Sequence, residues 1–465
     1  MAGDEEFLRR SSAPPFARVP RVKPGADGRT APAPGTPHEK AQDPDLGATV
    51  IDQRRYTSPA FMRLEWERLW TKVWLVAGRS LDIAKPGDYI ATEIGPESII
   101  VVRQADGTVR GFYNVCQHRG NRLRPCGRGQ SGSSLSFKCL YHHWEYNLDG
   151  SYRRIPDVDT FPQGAPPYGL TEVRCEEWGS FVWFSLDPDA RPLAEYLDPI
   201  PLHLDPYHFE RMAQTRDITV EWDCNWKTSV DAFNESYHVQ GIHPQLLWHL
   251  HDLDIQIDCY ERHSRYLIPF GTVSPRVRKP PGIPESIKAI MKAAGMDPVD
   301  YDQPVANIRR DVQRQKRAVG PAQGRDYSEL NDDQLTDDYH YTIFPNLSLN
   351  LHADDFWVFR QRPHASDPNK MYYDIWTYEL VPQGEPWPER ARHQTFKHGD
   401  KSIGLVLDQD AANLPNVQAG MHSRGFGGLW LGRQELRIRH FHKVIDDYLF
   451  PPGSDRESWA AGEVR

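Results

Sequence analysis

The sequence predicts an α+β protein made of two domains, and three observations carry that expectation. At 465 residues the chain exceeds what one ordinary core accommodates. From Trp74 to about Asp187 it runs in short β-rich stretches punctuated by Asp-Gly turns. The second half mixes strand-like runs with helices and closes on a helix whose apolar stripe is Ile438, Phe441, Ile445 and Tyr448.

Taken in order, residues 1–47 are rich in Pro, Ala, Gly and charge, a composition that predicts a disordered tail with little to bury against its ordering entropy. Ser58-Pro59 reads as an N-cap with proline at the first helical position. The helix it opens carries Phe61, Leu64 and Trp70 and is expected to end near Lys72. Ile99 to Arg103 and Val109 to Tyr113 flank Asp106-Gly107, a hairpin signal. Trp144, Tyr146 and Leu148 alternate into a second, Asp149-Gly150. The Pro- and Asp-rich stretch from Asp187 to Pro206 reads as a linker, which divides the chain into domains at 48–195 and 196–465. In the second domain Asp223 to Val239 reads as helix, and Arg276 to Thr336 as a polar excursion or partly mobile cover. Strands are expected at Tyr341 to Leu351, Phe356 to Arg362 and Met371 to Leu380.

Composition narrows the classes of function. Hydrophobic residues make up 39% and charged residues 26%, an ordinary soluble balance. No apolar run approaches the ~18 residues that cross a bilayer, and no signal peptide is evident. A net charge of −9 argues against a nucleic-acid surface. Six spread-out cysteines suggest metal ligation or buried thiols rather than a disulfide framework. The expectation is a cytoplasmic enzyme.

The sharpest feature is Cys116-Gln117-His118, followed by Cys139-Leu140-Tyr141-His142. A Rieske [2Fe–2S] centre takes two thiolates on one iron and two imidazoles on the other, and each pair supplies one of each. Each pair follows a predicted strand, so two loops can pinch a cluster between them. The alternative is a Cys2His2 zinc site, although zinc fingers usually pair Cys with Cys and His with His. Between the pairs lies Gly127-x-Gly129-x-x-Gly132, formally a dinucleotide fingerprint. It has no βαβ unit around it and reads instead as a flexible loop. Cys126, in the same loop, reads as a non-ligand.

The surrounding residues, Tyr113-Asn114-Val115-Cys116-Gln117-His118-Arg119-Gly120 and Cys139 through Gly150, resemble the Rieske domain of ring-hydroxylating oxygenases. Leu140 stands where that family usually has Pro, and His143, a decoy ligand beside His142, where it usually has Gly. The twenty residues between His118 and Cys139 exceed the typical spacing.

A second constellation is Asp231-Ala232-Phe233-Asn234-Glu235-Ser236-Tyr237-His238, then His243-Pro244. Non-haem Fe(II) oxygenases use two His and one carboxylate on one face of the metal. Five residues turn a straight helix by about 140°, so the chain must break or tighten near Gly241 for His238 and His243 to share an ion. Glu235 and His238 are i, i+3 neighbours. The string resembles the iron-binding helix of the same oxygenase family, with Glu235 where Asp is usual. Leu407-Asp408-Gln409-Asp410, followed by Gln418, resembles the segment carrying the third ligand. The spacing to Gln418 favours Asp410, with Asp408 as runner-up. The closing pattern through His440 and His442 is also similar, and those histidines read as structural, on the polar flanks of the last helix.

The resemblance, from about Thr57 to Leu449, implies a β-rich Rieske domain beside a helix-grip catalytic domain, an antiparallel sheet around a long helix. It implies a [2Fe–2S] cluster, Fe(II), O2 as co-substrate, and NAD(P)H acting through a partner ferredoxin or flavin reductase. It further implies a head-to-tail homotrimer, with or without a small β subunit (α3β3), in which Glu235 bridges the iron of one subunit and the cluster of the next. The implied activity is mono- or cis-dihydroxylation of an aromatic or other apolar ring, as in aromatic hydrocarbon catabolism, or else oxidative N- or O-dealkylation. Two readings from other classes stand beside it: a non-catalytic Rieske electron carrier, and a zinc-containing helix-grip ligand-binding protein.

Overall fold

The computed structural model describes residues 36–126, 130–253, 255–278 and 282–451. Most of the expected tail therefore lies outside the described residues. The chain forms two compact units that divide differently from the expected 48–195 and 196–465. One comprises Pro59–Pro201 with Arg362–Asp367, and the other Leu202–Gln361, everything from Pro368 onward, and the residues up to Ser58.

The first unit opens on the helix Pro59–Glu65, extended by one wider turn to Trp70, two residues short of the expected end. Its main sheet has seven strands in the order Trp74–Arg79, Phe181–Ser185, Glu172–Trp178, Val109–Tyr113, Glu97–Arg103, Asp88–Ile94 and Gln130–Ser133. Both Asp-Gly hairpins form. Ile99 pairs with Tyr113 and Arg103 with Val109, while Tyr146 pairs with Tyr152. Gly132, the described end of the glycine motif, sits within strand Gln130–Ser133 rather than in a loop. Gly127 and Gly129 lie outside the described residues. The expected linker is largely helical, with turns at Leu193–Leu197 and Ile200–Leu204 that bury Leu193, Tyr196, Leu197, Ile200 and Leu204. Proline density misled there because each proline lies before or early in its turn, where no N–H is needed.

Gly150 shows why the second hairpin needs glycine. Its φ is +85°, and a Cβ there would stand 2.5 Å from Phe112 Cε1. Gly150→Ala is expected to cost about 1–3 kcal/mol through backbone strain and the clash, read as an earlier midpoint in denaturant titration.

The second unit is built on an eight-stranded sheet in the order Gln256–Cys259, Ser264–Ile268, Asp338–Ile343, Leu347–Leu351, Asp355–Pro363, Met371–Leu380, Met212–Trp222 and Gln394–Lys397. All described pairings are antiparallel except the last, which is parallel. One face packs on Phe209, whose ring stacks 4.2 Å from Phe356, and buries the Arg265–Asp258 ion pair (2.7 Å). The opposite face receives the helices Trp226–Phe233 and Leu436–Leu449. Phe233 stacks on Tyr373 and His340, and Arg437 bonds Ser264 and Thr342. Residues 38–41, expected in the disordered tail, lie along edge strand Gln256–Cys259. There Gln256 donates to the His38 carbonyl (3.0 Å) and Ala41 N to Asp258 Oδ1 (2.7 Å), which covers polar groups of the sheet edge.

The expected polar excursion instead contains two helices, Glu285–Ala293 and Ile308–Val319. They enclose their own small core of Ile287, Met291, Ala294, Ile308 and Val312. Among the described residues no helix is long and apolar enough to cross a membrane.

Candidate cluster and metal centres

In the first unit, the C-x-H and C-x-x-H pairs each close a tight turn. Cys116 N donates to Asn121 O and Gly120 N to Cys116 O; Cys139 N donates to Trp144 O and His143 N to Cys139 O. The second turn puts His143 at φ +60°, a left-handed conformation that explains why glycine suits this position. His143 is exposed. Both thiols are buried, each 2% exposed, whereas His118 and His142 are half-buried. Their rings stand 4.6 Å apart, and His118 stacks flat on Trp144 at 4.8 Å. Tyr146 OH contacts Cys116 Sγ (3.3 Å) and accepts from Gln117 N (2.9 Å).

Electrostatics at His118 suit a metal-ligand role. Burial, then the neighbouring His142 and Arg119, holds His118 below its usual pKa, favouring the neutral imidazole that ligates. Burial pushes the Cys116 thiol up, opposed by its Tyr146 contact. His142 Nδ1 is buried without a hydrogen-bond partner, as a ligand atom would be. Cys126 is turned away from this space, its Sγ 2.6 Å from Ser98 Oγ and 3.2 Å from Asn114 Nδ2.

The second unit brings His238, His243 and Asp410 together, with one ligand atom from each all lying within 4.8 Å. The expected helix Asp223–Val239 is shorter, Trp226–Phe233. It breaks first at Asn234–Tyr237, and a single turn, Val239–Ile242, resumes between the two histidines and ends one residue past Gly241. Gly241 lies inside that turn. His243 leaves it with φ −122° and ψ 50°, just ahead of Pro244, which cannot continue the hydrogen-bonding pattern. The two rings end 5.1 Å apart.

Each histidine is held from behind. Glu235 Oε1 lies 2.6 Å from His238 Nδ1, and its other oxygen accepts from His238 N (2.9 Å). Gln409 Oε1 lies 2.8 Å from His243 Nδ1. Both rings therefore carry Nδ1–H and turn Nε2 toward Asp410, whose Oδ1 is 2.9 Å from His243 Nε2 and 3.9 Å from His238 Nε2. Burial disfavours charged His238, but Glu235 and then Asp410 outweigh it and push its pKa up to about 9. A divalent cation competes for the same lone pair and the same carboxylate field. Asp408 points elsewhere, binding Ser402 Oγ and Ile403 N at the start of the helix Leu405–Met421.

Gln409, which the sequence motif contains without a role, is the partner sequence reasoning missed; only its place beside Asp410 hinted at it. Gln418 turns out to be a brace. It accepts from Asn225 N (3.0 Å) and Thr228 Oγ1 (3.2 Å), tying the carboxylate helix to the start of Trp226–Phe233. Glu235 is buried, 8% exposed, rather than on an exposed helix face. His440 and His442 are not on polar flanks either: both are buried, bonded to Tyr260 O (2.7 Å) and Tyr56 OH (2.7 Å). Beside the triad a cavity of about 350 Å³ is lined by Glu235, His238, Asp410, Leu414, Phe426 and Trp430.

Residues 73–168 match the Rieske [2Fe-2S] domain, and residues 209–450 match the ring hydroxylating alpha subunit (catalytic domain). The glycine betaine monooxygenase oxygenase subunit of Chromohalobacter salexigens is 32% identical over 210 residues, 45% of this chain and 46% of that one. The benzene 1,2-dioxygenase subunit alpha of Pseudomonas putida is 33% identical over 201 residues, 42% of this chain and 44% of that one. The matched segments thus span about half the length of these curated relatives. A crystal structure of the quaternary ammonium Rieske monooxygenase CntA with L-carnitine shares the fold, with a TM-score of 0.62 at 18% identity over 88% of this chain and 99% of that chain. With its catalytic-domain match alone covering more than half of its length, the chain belongs to the ring-hydroxylating alpha-subunit family and carries a Rieske [2Fe–2S] domain ahead of the catalytic one.

Proposed function

We propose that this chain is the catalytic subunit of a cytoplasmic Rieske non-haem iron oxygenase. It would take electrons from a separate ferredoxin or flavin reductase and hydroxylate an aromatic or other apolar ring, with oxidative dealkylation as the second reading. The observation that carries this is the convergence of His238, His243 and Asp410 in a chain that also bears the Cys116, His118, Cys139 and His142 set. A bound Fe(II) would supply the open coordination positions at which O2 is activated. The protein's part is to fix both imidazole tautomers through Glu235 and Gln409 and to hold the third ligand through the Gln418 brace. The dealkylation reading draws on the relatives and structural neighbour named for betaine and carnitine oxidation. The test is product analysis after reduction and O2 exposure with aromatic, terpenoid and N-methylated compounds. No oxygenated or dealkylated product from a fully metallated protein would count against it.

We assign Glu235 to communication between centres in a homotrimer. One carboxylate oxygen is committed to His238 Nδ1, and Glu235 lines the cavity whose rim carries Trp430, 88% exposed in the isolated chain. A large exposed aromatic beside a cavity suits burial by a partner, and a head-to-tail interface closes into a ring. Glu235→Gln is expected to load both metals, yet to slow single-turnover oxidation of the reduced cluster by on the order of 10–100-fold, as changes behind a metal-bound imidazole do. Wild-type rates in a fully metallated variant trimer would remove the bridge from the mechanism.

A further inference from the structure

We propose that the cavity against the helix at Pro59–Trp70 binds an aromatic amino acid, with its ring against the indoles of Trp66 and Trp70 and its two charges on Arg63 and Glu67. This goes beyond the oxygenase reading. The site lies wholly in the first unit and shares no lining residue with the cavity beside the triad.

The cavity holds about 430 Å³, within the range of small-molecule sites. One wall is a helix face. Pro59, Met62, Arg63, Trp66, Glu67 and Trp70 all line it, and steps of three and four residues put them on one side of the helix. The other side buries Phe61, Glu65 and Leu69. Large apolar side chains thus stand on both sides, whereas a surface helix of a globular protein usually turns a polar face outward. Both tryptophans belong to the widened turn, Trp66–Trp70, a feature frequent at functional sites. Gly95 forms part of a second wall. A Cβ there would stand 2.6 Å from Trp66 Cζ3, so the indole lies against bare backbone. Pro96 and Pro363 also line the cavity, and their fixed φ angles limit how far those walls relax.

The polar groups of the cavity fit a zwitterion. Arg63 and Glu67 both line it and both are exposed. They stand at i and i+4, in the order that favours a mutual ion pair less, and among the described residues neither has an ion-pair partner. His364 lines the cavity as well. Its Nδ1 accepts from the backbone N–H groups of Ser366 (3.2 Å) and Asp367 (3.1 Å), so Nε2 carries the proton and donates. A hydrocarbon leaves both charges unused. A simple carboxylate pairs with Arg63 but faces Glu67, and a simple amine does the reverse. A carboxylate and an ammonium borne on one carbon answer both, with the His364 N–H as a second donor to the carboxylate. The indoles take the aromatic ring by offset or edge contact, and the ammonium is attracted to the same ring faces.

The experiment is anaerobic equilibrium dialysis of the full-length, iron- and cluster-loaded protein at low salt against L-tryptophan, tryptamine and indole-3-propionate, which share the indole and differ in charge. The inference predicts L-tryptophan binding about 10-fold tighter than either singly charged probe, the scale of one charge-assisted hydrogen bond. Arg63→Gln should bring L-tryptophan down to the affinity of tryptamine, and Glu67→Gln down to that of indole-3-propionate. Both side chains are exposed, so neither change disturbs the core. Trp66→Ala should weaken all three probes. L-tryptophan affinity unchanged in both charge variants would place its binding elsewhere and overturn the inference, as would equal affinity for the three probes or no binding of any. Affinity is read without turnover, so failure here is separate from failure of the oxygenase reading, which product formation judges.

Discussion

Replacing Cys139 with alanine is expected to abolish the Rieske signal and, with it, the folding of the first unit. Cys139 is 2% exposed and belongs to the same core cluster as Ile100, Phe112, Phe137 and Tyr146, so the ligand turn is also part of the hydrophobic core. Cluster binding free energy is folding free energy where the unfolded chain has no preformed site. The measurement is EPR of the reduced protein at low average g, with circular dichroism and proteolysis reporting the unit's integrity. His143→Gly is the contrasting variant. It relieves a φ of +60°, leaves the four ligands in place, and should retain the signal at equal or higher stability. A Rieske signal that survives in Cys139→Ala would remove this set as the cluster site.

The second large effect is at the mononuclear centre. His238→Ala, His243→Ala and Asp410→Ala are each expected to eliminate iron binding and turnover while the cluster spectrum persists. A lost ligand should weaken binding beyond the roughly 10–100-fold that outer-shell changes cost, and Gln409→Leu, which releases His243 Nδ1, should fall within that smaller range. Asp408→Ala removes the contact to Ile403 N (2.8 Å) and should cost only about 1 kcal/mol of stability. Iron content by elemental analysis separates the series. Loss of iron in Asp408→Ala with retention in Asp410→Ala would reverse the assignment of the carboxylate.

Much of this protein was legible in its residues because the relevant information is local. The C-x-H and C-x-x-H turns, the two Asp-Gly hairpins, strand Met371–Leu380 and the closing helix all depend on neighbours within a few positions, where spacing and dihedral preference act directly. The choice of Asp410 over Asp408 followed from the spacing to Gln418 in the resembled segment, and Asp410 is the carboxylate that lies beside His238 and His243.

What only the tertiary structure decided depends on partners distant in sequence. The polar stretch before Thr336 folds because Arg309 meets the buried Asp337 (2.7 Å) and two amphipathic helices face each other; neither is visible in a local window. Residues 38–41 are ordered by an edge strand more than 200 positions away. The helix breaks at Asn234 as well as just past Gly241, and Asn234 is fully buried and accepts from Thr342 (2.7 Å), a residue of the sheet. The break beside Gly241 was legible locally, whereas the one at Asn234 goes with a long-range hydrogen bond. The sequence by itself thus singled out the candidate ligands and the two kinds of domain. The positions of His238, His243 and Asp410 around a common point came from packing between segments that no local pattern links.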